Sequence, residues 1–158
     1  MSINLNSALQ KQLPESFELM SRGMYYGDGL FETIRLFKGC MPFLPLHWER
    51  LAAGMRFLGF EMPDYWSADY FKKEILKITQ GNARVRINVW RSPGGYYFPT
   101  DNSPNFLITA APLDEDVFTM NKTGLVLRQC ERVRLPIDML SGLKIGRASC
   151  RERVCMLV

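Results

Sequence analysis

The sequence predicts an α+β fold, with a mostly antiparallel sheet and two helices, from three observations. Of its 158 residues, 47% are hydrophobic and 12% aromatic, which is ample for a packed core. Several short segments alternate apolar and polar residues, as strands do, whereas two longer segments repeat apolar residues at helical spacing. The helical segments follow a hairpin and precede several further strands, an order that argues against a regularly alternating parallel sheet.

The first predicted strand covers residues 29–37, because its residues divide into two alternating sets. The alternation places Leu30 and Glu32 on the same face of the sheet. A glycine-containing turn at residues 38–39 then predicts a hairpin into residues 41–44.

Two helices are predicted next. The first covers residues 46–59, with Arg50 in its first turns, and the second begins after Ser67, a favoured N-cap residue, and ends before residues 80–82. Their apolar stripes are Leu51, Met55 and Leu58 in the first helix and Phe71, Ile75 and Ile78 in the second. Each stripe predicts a helix that packs one face on the sheet.

Residues 83–91, 105–111 and 124–129 supply three more predicted strands, since they are rich in branched and aromatic residues. In the first of these, one face is apolar and the other carries Arg84 and Arg86. The turn cluster at residues 92–95 ends that strand.

Composition and charge narrow the range of partners. The formal charge is +4, but the basic residues form no run, so a nucleic-acid partner is not expected. The four cysteines are scattered and His47 is the only histidine, so neither a disulfide framework nor a metal site is expected. The sequence has no recognisable signal peptide and no apolar stretch that could span a bilayer, so we expect a cytoplasmic protein that does not contact a membrane.

Two motifs resemble those of a known family. RGMYYGDGLFETIR occupies residues 22–35 and HWERL occupies residues 47–51. Together they resemble the opening signature of the class IV aminotransferases, which are fold type IV pyridoxal-phosphate enzymes. The resemblance covers about residues 20–100 and returns at residues 135–144. It implies two α/β domains with the cofactor between them, a homodimer, and a chain that contains chiefly the first domain.

The resemblance also implies the domain organisation. We expect an N-terminal α+β domain over residues 1–120 and an interdomain connection with the start of the second domain over residues 121–144. Residues 145–158 resemble a translated sequencing adapter, so we expect a non-native tail there. The second domain is then missing, and we expect the 158-residue chain itself to be inactive or nearly so.

Two residues are expected to hold and use pyridoxal 5'-phosphate. By resemblance, Arg50 of the His-x-x-Arg-Leu pattern grips the cofactor phosphate, which suits a guanidinium because its planar fork can hold two phosphate oxygens at once. Lys144 resembles the lysine that forms an imine with the cofactor and later moves the substrate α-proton. The alternatives are an exposed helix arginine and a loop lysine.

Three further residues are expected to bind substrate. Tyr26 and Arg86 match the positions where branched-chain members place groups that orient the substrate carboxylate, and a solvated strand edge is the alternative for Arg86. Glu32 is the glutamate of the family's Phe-Glu pattern. It lies between apolar residues, so it must either reach a site or find a partner.

The function implied by the resemblance is amino transfer between an amino acid and a 2-oxo acid. Two departures leave the substrate open. Thr33 replaces the glycine that usually follows Phe-Glu in branched-chain enzymes, and Phe31 lacks the hydroxyl found there in D-amino-acid aminotransferases. Thr33 is closer to aminodeoxychorismate lyases, in which the same chemistry releases pyruvate and an aminobenzoate. A third alternative is a non-catalytic α+β binding or assembly module.

Overall fold

The fold is built on one antiparallel sheet. The structure, a computed structural model, describes residues 2–14, 22–113, 123–124, 126 and 143. The strands are β1 (Ile3–Leu5), β2 (Ala8–Gln10), β3 (Gly29–Leu36), β4 (Ala83–Arg91) and β5 (Pro104–Pro112), and the helices are α1 (Arg22–Tyr25), α2 (Leu44–Phe57) and α3 (Ala68–Leu76). Across the sheet the strands run in the order β2-β1-β5-β4-β3. The predicted α+β class, with a mostly antiparallel sheet and two main helices, is confirmed.

Several predicted features lie outside the described residues. They are most of the strand at residues 124–129, the boundaries at residues 120 and 144, Lys144 itself, and the tail at residues 145–158. Within the part that is described, no helix combines the length and hydropathy needed to cross a membrane.

Helices α2 and α3 cover one face of the sheet. The antiparallel register sets Glu32 opposite Ile87, and Ile87 opposite Ile108, so the same face continues through three strands. Ile34 and Val85 lie on this face and are fully buried. The alternation predicted for β3 and β4 is therefore confirmed, and the face that carries Glu32 is the buried one.

The strand predicted at residues 41–44 is wrong. Phe37 and Cys40 form a single β-bridge, so the chain turns as expected, but α2 already begins at Leu44. Proline rings at positions 42 and 45 explain the difference, because they cannot donate to a strand ladder and suit the first turn of a helix. Phe43, with a left-handed φ of 63°, redirects the chain into the helix.

The second helix begins where the sequence predicts. The Ser67 side chain accepts a hydrogen bond from the backbone N–H of Tyr70 at 3.1 Å, which satisfies one of the free donors at the start of α3. Phe71 and Ile75 then enter the core, where the Phe71 ring meets Trp66 edge to face at a centroid distance of 5.1 Å.

A hairpin of β1 and β2 precedes the predicted elements and was missed by sequence reasoning. Its strands have three residues each, too few for a clear alternation. The available signal was the Asn6-Ser7 pair, whose φ angles of 48° and 69° form a tight two-residue turn. Asn4 of β1 is fully buried and donates from Nδ2 to the Glu74 carboxylate at 2.7 Å and to the Glu74 carbonyl at 3.2 Å. This amide therefore links β1 to α3.

The Glu74 carboxylate is held in its ionised form. Burial raises the pKa of this group, but hydrogen bonds from Lys77 and Asn4 lower it more, so the pKa of Glu74 lies below its ordinary value of 4.5. A carboxyl with a lowered pKa in the folded state stabilises that state above its unfolded pKa. The contribution is lost as the pH falls through the folded value.

We expect Glu74→Gln to lower the free energy of unfolding at pH 7 by about 1–3 kcal/mol, because it removes a charged acceptor from a buried amide. The difference from the unsubstituted protein should narrow as the pH falls below 4.5 and through the lower pKa of Glu74 in the folded protein, since Glu74 then loses its charge in both states. Urea unfolding followed by tryptophan fluorescence at several pH values measures this. Glu49→Gln, at an exposed site on α2, is the control. A difference in the free energy of unfolding that stays constant with pH would contradict the expectation.

Candidate functional site

A buried carboxylate joins α2 to the centre of β3. The Glu32 side chain is 1% exposed. Its Oε1 accepts a hydrogen bond from Arg50 Nε at 2.6 Å, and its Oε2 accepts one from Arg50 Nη2 at 2.6 Å. His47 Nδ1 lies 2.8 Å from the same Oε2. The carboxylate thus receives a two-point guanidinium contact and an imidazole contact, a strong and directional arrangement.

The local sequence explains why these groups meet. His47 and Arg50 are three residues apart on α2 and project from the same side of the helix. Glu32 points toward that side because it shares the buried face of β3 with Leu30 and Ile34. Of the two roles expected for Glu32, the structure shows the second, a set of partners. Direct contact with substrate stays a prediction.

Arg50 spans the boundary between the core and the surface. Its side chain is 48% exposed, whereas its carboxylate partner is 1% exposed. A guanidinium offers five N–H donors in one plane, so the edge that grips a carboxylate can be locked while the group still faces solvent. Such a fixed cation is suited to bind an anionic group such as a phosphate. The described residues therefore fit the phosphate end of pyridoxal 5'-phosphate.

The residue that precedes Lys144 in the chain packs against the same helix. Leu143 lies against the core, and its Cδ2 is 3.7 Å from the position that a Cβ on Gly54 would occupy. Gly54 is one helical turn beyond Arg50 on the same side of α2. Lys144 itself is outside the described residues. The contact brings the chain next to Lys144 onto the helix that carries Arg50.

Arg86 lies on the opposite face of the sheet. Its Cζ is 4.1 Å from the centroid of the Phe31 ring, and its Nε donates to Asn88 Oδ1 at 3.0 Å. The side chain is exposed and lines a shallow groove. The groove is formed by Thr33, Arg84, Arg86, Thr109 and Ala111. The structure thus brings Glu32 and Arg50 together and places Arg86 across the sheet from them.

Tyr26 follows α1 and is 44% exposed. The Arg22 guanidinium lies over its ring, with Cζ 4.6 Å from the centroid. Arg22 is itself buried, and its Nη1 donates to the carbonyls of Gly94, Gly95 and Tyr96 at 3.0–3.1 Å. Tyr26 therefore contacts Arg22, which also holds the loop after β4 by hydrogen bonds to its carbonyl groups.

Sequence reasoning assigned no role to the network beside Tyr26. Asp28 Oδ2 accepts hydrogen bonds from Arg22 Nε at 3.1 Å and from Arg91 Nε at 2.9 Å. Arg91 is 5% exposed and also donates to the Leu58 and Gly59 carbonyls at the end of α2. One carboxylate with two buried arginines thus joins α1, β4 and α2. The available signal was an aspartate between two glycines and an arginine that ends a strand with one apolar face.

Among the described residues, no cluster of three or more histidine, cysteine, aspartate or glutamate side chains is placed to hold a metal ion.

Comparison with known families and proteins matches residues 29–145 to the family described as amino-transferase class IV. A curated relative, the aminodeoxychorismate lyase of Bacillus subtilis (strain 168), is 31% identical over 137 residues, covering 79% of this chain and 45% of that protein. The chain thus spans about half the length of the curated relatives that it matches.

Solved structures show the same fold. The branched-chain amino acid aminotransferase of Escherichia coli superposes with a TM-score of 0.67 at 18% identity, over 92% of this chain and 51% of that chain. The 4-amino-4-deoxychorismate lyase of Pseudomonas aeruginosa superposes with a TM-score of 0.56 at 26% identity, over 70% of this chain and 39% of that chain. The antiparallel sheet with its two covering helices is therefore part of the fold of both proteins.

From the Glu32–Arg50 contact we predict that replacing Arg50 destabilises the protein more than replacing Glu32. Arg50→Met removes both guanidinium contacts from the buried carboxylate, so we expect it to lower the free energy of unfolding by about 3–5 kcal/mol. Glu32→Gln leaves Arg50 and His47 without the carboxylate, but both side chains are partly exposed, so we expect it to lower the free energy of unfolding by about 1–3 kcal/mol.

Urea unfolding of both variants and of the double variant measures the asymmetry. The double variant should lose less than the two single losses added together, because the single losses share one interaction. Arg56→Met, at an exposed site on α2, controls for the loss of a helix arginine. Equal single losses that simply add would contradict the expectation.

Proposed function

Since this chain belongs to the class IV aminotransferases, a family of pyridoxal-phosphate enzymes, we propose that the full-length protein uses pyridoxal 5'-phosphate to transfer an amino group between an amino acid and a 2-oxo acid. The observation that carries the proposal is the Arg50 guanidinium, gripped by a buried carboxylate and still 48% exposed.

Arg50 would bind the cofactor phosphate. Glu32 accepts from Nε and Nη2 and so fixes the plane of the guanidinium before a ligand arrives. Fixing a long side chain in advance reduces the entropy lost on binding. Glu32 and His47 would thus act as positioning residues, and their effect on the cofactor would pass through Arg50.

Lys144 would hold the cofactor covalently and move the substrate α-proton through its Nζ. A primary amine can do both, because its free form accepts a proton and its protonated form returns it. The packing of Leu143 beside Gly54 supports this role, since it brings the preceding residue to the helix of Arg50. Pyridoxal phosphate, when bound, supplies the electron sink for the reaction.

Tyr26 and Arg86 would orient the substrate carboxylate. Arg86 and Arg50 lie on opposite faces of the sheet, but β3 is at the edge of the sheet among the described strands, and Phe31 of β3 stacks on Arg86. A ligand that crosses the β3 edge could therefore touch Arg50 at one end and Arg86 at the other. The substrate carboxylate would then contact the Arg86 guanidinium, while the cofactor phosphate would bind Arg50 on the side of the sheet covered by α2.

A second candidate function is that of an aminodeoxychorismate lyase. It is favoured by a specific observation: the curated relatives from Bacillus subtilis (strain 168) and Vibrio harveyi both carry that name and are each 31% identical to this chain. Thr33, where branched-chain enzymes have glycine, agrees with this choice. The same residues would serve either reaction, and the products distinguish them.

The assembly and location are also proposals. We propose a homodimer, in keeping with the resemblance drawn from the sequence motifs, and a cytoplasmic location, as the sequence analysis expects. We also propose that the 158-residue chain alone is inactive or nearly so, because it spans about half the length of its curated relatives. Surface that the remainder of a full-length protein would cover would then be exposed to solvent.

We expect Arg50→Lys to weaken cofactor binding by the full-length protein about tenfold or more, because lysine keeps the charge but loses the two-point fork. Titration of the unloaded protein with pyridoxal 5'-phosphate, followed by absorbance, measures the affinity. Arg56→Lys is the matched control on the same helix. Unchanged affinity in Arg50→Lys, with the fold intact by circular dichroism, would rule out the phosphate role.

Lys144 should be the site of a borohydride-stable cofactor adduct in the full-length protein. Peptide mass mapping after reduction should locate the adduct at Lys144, and Lys144→Ala should abolish both adduct and turnover, with Lys122→Ala as the control. Product analysis of the active protein then separates the two reactions. An amino acid and a 2-oxo acid indicate transfer, whereas pyruvate with an aminobenzoate indicates the lyase. An adduct on another lysine would contradict the assignment.

A further inference from the structure

One buried arginine joins Tyr26 to the loop after β4. Arg22 is 6% exposed, and its Cζ lies 4.6 Å from the centroid of the Tyr26 ring. The same guanidinium donates through Nη1 to the carbonyls of residues 94, 95 and 96 at 3.0–3.1 Å. Its Nε donates to Asp28 Oδ2 at 3.1 Å. An aromatic ring and a loop therefore share one cation.

The aromatic loop, residues 94–98, has a shape that depends on Arg22 and on two glycines. Three of its carbonyls point toward one place, where their partial negative charges repel one another unless a cation lies between them. Gly94 and Gly95 have φ angles of 130° and 67°, and a Cβ on Gly95 would overlap the Phe98 carbonyl oxygen. Side chains larger than hydrogen at these two positions would therefore change the shape of the loop.

Burial of side chains does little to hold the aromatic loop. Tyr96, Tyr97 and Phe98 are 81%, 91% and 86% exposed, so their rings bury little apolar surface. Hydrogen bonds from a charged donor are about twice as strong as those between neutral groups. The carbonyl contacts with Arg22 therefore matter more for the shape of the loop than the packing of its rings.

The other edge of the Arg22 guanidinium is anchored to α2. Asp28 Oδ2 also accepts a hydrogen bond from Arg91 Nε at 2.9 Å, and Arg91 donates to the carbonyls of Leu58 and Gly59. The anchor holds the Nε edge of Arg22, while the loop carbonyls hold the Nη1 edge. Both together set the plane of the guanidinium against the Tyr26 ring, so a change in the loop releases one edge.

We propose that Arg22 is a positioning residue for Tyr26, and that the aromatic loop affects substrate binding through Arg22. The inference rests on the proposed function in one respect, since it takes Tyr26 as a group that contacts substrate. A ring that is fixed before the ligand arrives loses less entropy on binding. When the loop changes shape, the Tyr26 ring loses part of its support and the substrate binds more weakly.

Substitutions of Arg22 in the full-length protein test the positioning role. Arg22→Gln removes the stack and the loop contacts but leaves Asp28 paired with Arg91, so the fold should persist, as circular dichroism can verify. We expect KM for the substrate identified by product analysis to rise about tenfold, with little change in kcat. Arg22→Lys should raise KM less, because an ammonium stays near the ring. In a Tyr26→Ala background, Arg22→Gln should add no further rise.

A glycine substitution changes the loop without replacing Arg22 or Tyr26. Gly95→Ala forces the aromatic loop out of its shape, whereas Gly39→Ala, at a φ of 77° with open space around its Cβ, is the matched control. Gly95→Ala should also raise KM, and the rise should disappear in the Arg22→Gln background. A rise that persists in that background, or equal effects of the two glycine substitutions, would overturn the proposal.

A signal from the Tyr26 ring separates this inference from the proposed function. Fluorine NMR of protein that carries fluorotyrosine, assigned with Tyr26→Phe, reports the environment of the ring without turnover. The signal should shift in Arg22→Gln and in Gly95→Ala but not in Gly39→Ala. If turnover is absent and these shifts occur, the proposed function fails and the link through Arg22 stands. If turnover occurs but Arg22→Gln and Gly95→Ala leave KM unchanged, the link is refuted and the proposed function stands.

Discussion

The candidate site depends on one constraint, the burial of the Glu32 carboxylate. An ionised carboxylate cannot remain in a core without strong partners, because the loss of water around it costs several kcal/mol. Two N–H groups of Arg50 and the His47 ring meet that need. The position of the acid in β3 therefore dictates where α2 must place its basic face. The buried charge of Glu32 therefore determines the orientation of α2 and the position of the partly exposed Arg50 guanidinium.

The sheet separates two cationic surfaces that the proposed reaction needs. Arg50 is presented on the side covered by helices, whereas Arg84 and Arg86 are presented on the open side. One ligand can approach both sides at an edge strand, and β3 is an edge strand of the sheet that the described residues form. The sites proposed for the phosphate and the substrate carboxylate thus follow from strand order as much as from residue identity. In a central strand, the same residues would serve two unrelated surfaces.

Sequence reasoning succeeded where a feature depends only on residues close to it in the chain. Such features are the alternation of β3 and β4, the apolar stripe of α2 and the Ser67 cap, and each was predicted from the neighbouring residues. It failed at residues 41–44, where prolines outweighed the expected hairpin. The Asp28 network and the Asn4–Glu74 bond join residues far apart in the chain, so a local pattern can single out one residue but not its partner. For the same reason the sequence placed Glu32 correctly on its face but could not identify its partners.

The left-handed residue Phe43 has a consequence for the angular phase of α2. Each residue added to a helix turns it by about 100°. Because Phe43 and the following proline determine the residue at which winding begins, they also determine the azimuth at which His47 and Arg50 emerge. An insertion or deletion of one residue between Pro45 and His47 would keep the start of α2 and turn His47 and Arg50 by about 100° relative to the sheet. The number of residues between the helix start and Arg50 is thus as much a determinant of the anion site as the arginine itself.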